Sequence, residues 1–66
     1  MNLELVEFVK FGCVDAVLNH MAFMMKDGWH PIHDGLTSID NTGRVIVARP
    51  LNAHTKGISI WRETND

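Results

Sequence analysis

The sequence predicts an α+β fold: a single small domain in the order β-α-β-β-β, with one amphipathic helix laid on an antiparallel sheet. Three observations predict it. The stretch from Gly12 to Gly28, GCVDAVLNHMAFMMKDG, has helical periodicity and a boundary signal at each end. From Leu36 onward the chain breaks into short β-branched runs separated by turn residues. At 66 residues there is room for only one domain.

Residues 2–11, NLELVEFVKF, read as a strand over their whole length. Leu3, Leu5, Val9 and Phe11 then share one face with Glu7, and Glu4, Val6, Phe8 and Lys10 share the other. A helix is the alternative. It would align Glu4, Glu7 and Lys10 in a polar stripe pointing away from that of the next element, so one helix from Asn2 to Asp27 would have no consistent face. Val and Phe favour the strand, and Gly12 supplies the break.

The helix is expected over 13–27. Asp15, Asn19, Ala22 and Lys26 form one narrow stripe that carries most of the polarity. Cys13, Val14, Val17, Leu18, Met21, Phe23, Met24 and Met25 fill the rest, more apolar circumference than one sheet face covers. Gly12 is the expected N-cap, which puts Asp15 near the positive end of the helix dipole. Lys26 suits the last turn. Gly28 suits the left-handed C′ position, Trp29 packs back on Met24, and Pro31 prevents continuation.

Residues 28–35, GWHPIHDG, read as a connector. Strands are expected at 36–39, 44–49 and 57–62, with Asp40-Asn41-Thr42-Gly43 as a tight loop. In RVIVAR, Val45 to Ala48 are apolar on both faces, the mark of a central strand. Pro50 ends that strand, PLNAHTK is a loop, and the residues after Arg62 form a polar tail. In the last strand Ile58 and Ile60 share one face, Ser59 and Trp61 the other.

Composition narrows the function classes. A net charge of −2 implies no polyanionic partner, and no basic patch with interleaved aromatics emerges. The first charges are acidic and the apolar run is interrupted by Asp15, Asn19 and His20, so neither a signal peptide nor a membrane span is expected. One cysteine forms no internal disulfide and suits a reducing compartment, which makes the cytoplasm the expected location. A chain this short buries only about 60% of its unfolded surface, so a tight core, a metal or a second chain must stabilise it.

Candidate chemistry is thin. His30 and His33 form an H-x-x-H pair that could offer two imidazoles to a metal, with Cys13 or His20 as further ligands. The spacing matches no standard zinc motif, and Cys13 and His33 fall near opposite ends of the helix, so no metal or cofactor is assigned. Cys13 near a helix N-terminus could hold a thiolate, but His20 lies two turns away and a loop residue such as His54 would have to serve as base. A buried, structural cysteine is the commoner outcome. His33-Asp34 lacks an oxyanion hole or phosphate loop beside it, and no catalytic residue is assigned. Arg44, Arg49 and Arg62 with Trp61 could grip single-stranded nucleic acid, against which the balanced charge argues.

The surplus of apolar helix surface points instead to protein binding. The expected function is a small cytoplasmic module, a regulator or inhibitor that occludes a larger protein partner. The module is expected to form a homo-oligomer, a dimer first of all, with one side of the helix buried between subunits. The expected interface is Val14, Leu18, Met21, Met25 and Trp29. A metal-stabilised domain on His30 and His33, and a nucleic-acid module on the sheet face, are the alternatives.

Overall fold

A computed structural model describes residues 2–50 and 56–64. It shows one helix packed on a five-strand antiparallel sheet: β1 (Leu3–Lys10), α1 (Val14–Lys26), β2 (His30–Ile32), β3 (Gly35–Ile39), β4 (Val45–Pro50) and β5 (Gly57–Glu63). The strand order is β1-β5-β4-β3-β2. The α+β class and the helix on an antiparallel sheet stand as expected, and within residues 2–11 Leu3–Lys10 form a strand rather than a helix. The expected order gains one strand. The connector holds β2, which pairs through its three residues with β3, from His30 opposite Thr37 to Ile32 opposite Gly35. His33 and Asp34 are its hairpin turn.

β1 departs from simple alternation. Its register against β5 shifts between Leu5 and Glu7, so Val6 is an extra, bulged residue. Leu5 pairs with Trp61, whereas Glu7 pairs with Ile60 on the next step of the pleat. Leu3 and Leu5 therefore lie on the face of Phe8 and Lys10, not on that of Glu7 and Val9 as a regular strand would place them.

The helix starts one residue later than its glycine suggested. Cys13 is the N-cap, in extended conformation with no side-chain cap bond, and Asp15 falls in the first turn. The C-terminal end follows the sequence signals. Gly28 has φ +102°, its N–H donates to the Met25 carbonyl at 3.2 Å, and the Trp29 N–H donates to the Met24 carbonyl at 3.0 Å. That is a Schellman cap, and Trp29 packs beside Met24 on the core.

The core forms between the helix and one sheet face. Val17 and Met24 meet Leu36, Ala48 and Ile58, with Phe11, Met21, Trp29 and Ile60 around them. Leu36, Ala48 and Ile60 share one rung across three strands, and Ile58 lies one pleat repeat along β5. The β3–β4 hairpin is fixed by Asp40, whose Oδ1 accepts from the Thr42 hydroxyl at 2.6 Å, the Thr42 N–H at 2.9 Å and the Arg44 N–H at 3.0 Å. Gly43 supplies the positive φ that closes this loop. Glu63 belongs to β5, and the Thr64 N–H donates to the Asn2 carbonyl at 2.9 Å, so the polar tail is ladder as far as Thr64.

Candidate protein-interaction surfaces

Two apolar surfaces remain uncovered among the described residues. The first is on the helix. Successive residues turn 100°, so Val17 and Met24 point at the sheet while Val14, Leu18 and Met25 form a parallel line to one side. Val17 is 5% exposed; Val14, Leu18 and Met25 are 48%, 58% and 48% exposed. Met21 is half-buried against the core and borders this line, and Trp29 is half-buried against the core beyond the helix end. Phe23 is exposed elsewhere on the helix, with the Lys26 ammonium 5.6 Å from its ring centroid.

The second surface is the sheet face turned away from the helix. Strand pairing sets it out in rows. Phe8, Ser59 and Arg49 make one row, and Leu5, Trp61, Val47 and Thr37 the next. Ile39 and Val45 face each other beyond it. No helix among the described residues lies here, yet Val47 is buried by its own neighbours. The Trp61 indole N–H donates to Ser59 Oγ at 2.9 Å, and the Ser59 hydroxyl donates to the Arg49 carbonyl at 3.3 Å. This chain ties the ring to the sheet and leaves its apolar body on the surface. At the margins Leu5, Phe8 and Ile39 are 41%, 56% and 60% exposed. The sequence marks this surface only faintly. Its one signal is the apolar alternation on both faces of residues 3–9 and 45–48.

The other candidate residues are scattered. His30 is exposed on β2 and His33 is exposed in the following turn. Among the described residues no three of His, Cys, Asp and Glu come together as a metal set. Cys13 is exposed, not buried, because it lies at the helix N-cap outside the packed line of Val17 and Met24. The His20 ring leans on Phe11, with centroids 5.1 Å apart. His54 lies outside the described residues. Asp34 is engaged with Arg49, Oδ2 to Nε at 3.4 Å, which takes it away from His33 as a partner. The arginines do not form one surface. Arg49 is on the open sheet face, Arg62 is on the helix side and pairs with Glu4 at 3.6 Å, and Arg44 precedes β4. A groove of about 430 Å³ beside β2 and β3 is lined by Gly28, His30, Thr37, Ser38 and Ile39 and gathers no acid–base pair. No helix among the described residues is long and apolar enough to cross a membrane.

No family model, curated protein or solved structure matches the chain.

Proposed function

We propose that the protein is a small protein-binding module, a regulator or inhibitor that acts by laying its helix against a larger protein and occluding part of it. The observation that carries this reading is the line of Val14, Leu18 and Met25. It runs beside the core, about half exposed, on a helix whose C-terminal end is closed by a Schellman cap. Three aliphatic side chains at helical spacing suit insertion into an apolar groove. Met25, with Met21 at the margin, can adjust to an imperfect fit. Trp29 packs against the core just beyond the helix C-terminus. The reading needs no catalytic step and no metal. A cytoplasmic setting suits the single exposed thiol of Cys13.

The module works as a homodimer. The helix stripe itself is narrow for that contact. From Val14 to Met25 it runs only about 16 Å along the axis, and two such lines meeting directly fall short of the roughly 800 Å² per partner of a specific interface. A groove that wraps the helix from both sides gathers more area, so the stripe suits the larger partner better than a second copy.

The test is site-specific photo-crosslinking in the cells that make the protein. A photoreactive residue at Leu18 is expected to give an adduct with one heterologous protein, lost in the Met25→Glu background. The same group at Phe23, well round the helix, is expected to give none. No heterologous adduct at Leu18, or the same adducts at both positions, would overturn the reading.

A further inference from the structure

We propose that the open sheet face is where a second copy of this chain docks, so that two sheets stack into a sandwich with the two helices on the outside. The inference rests on the functional reading above only in leaving the helix stripe to the larger partner. Three observations carry it.

The first is size. Five strands about 4.8 Å apart make a face about 24 Å across, in a molecule measuring 34 × 23 × 19 Å, which approaches the scale of the roughly 800 Å² per partner that a stable interface buries. The second is composition. The face presents Leu5, Phe8, Val45, Trp61 and Ile39 around the buried Val47. Its arginine, Arg49, has the Asp34 carboxylate within ion-pair distance, Nε to Oδ2 at 3.4 Å. Stacked sheets about 10 Å apart bury such a face without stranding a charge.

The third is charge complementarity, and it selects the symmetry. Two further charges lie on this face. Lys10 stands at one end of β1, opposite Gly57, and Glu63 stands at the other end of the neighbouring β5, opposite Leu3. Neither has an ion-pair partner among the described residues. A two-fold axis lying between the sheets and crossing the strands at mid-length exchanges the two ends. It brings Lys10 of one copy over the Glu63 corner of the other, twice by symmetry, and sets Phe8 of one copy over Leu5 of the other. An axis along the strands would leave both lysines at one end and both glutamates at the other. An isologous, closed interface of this kind makes a dimer and stops there.

Sedimentation velocity on the intact chain, from about 1 to several hundred µM, tests the assignment. Wild type is expected to sediment as a dimer. Lys10→Glu and Glu63→Lys are each expected to weaken the dimer about tenfold at low salt, since each sets like charges together at two symmetric points. The double exchange K10E/E63K is expected to restore it. Phe8→Glu is expected to give a monomer that circular dichroism shows to be folded, since the position is exposed. The pair L18E/M25E is expected to leave the dimer intact, which separates this interface from the helix stripe. A wild-type monomer throughout the range overturns the proposal. So does a dimer abolished by L18E/M25E, or single charge reversals that the exchange does not rescue.

Discussion

Val17 and Leu18 are adjacent in sequence and opposite in environment, so truncating each to alanine measures how the helix divides its apolar surface. Val17→Ala removes two methyl-sized groups from a side chain that is 5% exposed. At about 0.8 kcal/mol per buried methylene, the lost transfer energy is about 1.6 kcal/mol. The cavity left between α1 and Ile58 adds to that, and the better helix propensity of alanine returns about 0.5 kcal/mol. The net loss is about 2 kcal/mol, out of the roughly 3–5 kcal/mol that a domain of this size commands. At 4–8 °C per kcal/mol the melting temperature should fall by roughly 8–16 °C. Leu18→Ala removes a larger side chain from an exposed site and should cost within about 0.5 kcal/mol, a shift under about 4 °C. Thermal unfolding by circular dichroism at a few µM reads both, at a dilution where association contributes least. If Leu18→Ala costs as much as Val17→Ala, the line of Val14, Leu18 and Met25 is not free surface in the monomer, and the docking account falls with it.

Two further outcomes follow from the hairpins. A Cβ built on Gly35 would collide with the Ala48 carbonyl oxygen, which is backbone and cannot swing aside; Gly35→Ala should therefore separate β3 from β4 locally and lower the melting temperature by several degrees, and an unchanged melt would refute the close approach. The Thr42 hydroxyl, followed by the Arg44 and Thr42 backbone N–H groups, holds the Asp40 carboxyl below its ordinary value of 3.8, with desolvation opposing. Because the folded value is the lower one, this contribution is fully present above pH 3.8 and is lost as the pH falls through the folded value. Thr42→Val should move the Asp40 titration, followed by carboxyl carbon NMR, back toward 3.8, and an unmoved curve would show that the backbone donors suffice.

What could be read from the sequence was local, and what could not was paired. The helix end was legible because Gly28, Trp29 and Pro31 each act within one turn of Met24. The central position of β4 was legible because Val45 to Ala48 are apolar on both faces. His30-Pro31-Ile32 was not legible as a strand. Three residues containing a proline have no pattern of their own, and it is β3 that makes them one. Proline on this edge also removes a donor that a further strand would need. The Val6 bulge was invisible for the same reason, since it is defined only against Trp61 and Ile60. The open face depended on the bulge and on the β1–β5 pairing. Leu5 joins Phe8 and Trp61 because of the bulge, and β1 lies beside β5 only in the folded sheet. The helix stripe, by contrast, needs only the 3.6-residue repeat, and Val14, Leu18 and Met25 follow from it alone.

The pairing of Leu3 with Glu63 divides the assembly of this molecule into an easy and a hard part. β2 through β5 form a meander whose neighbours in space are neighbours along the chain, and such contacts form quickly. β1 has no neighbour of that kind. Its ladder closes a loop spanning almost every described residue, a slow step by entropy alone. Until it closes, β5, which carries the most deeply buried isoleucine, has one bare edge. Another chain in the same condition can satisfy that edge just as well. Refolding yield should therefore fall with protein concentration even where the finished fold is sound.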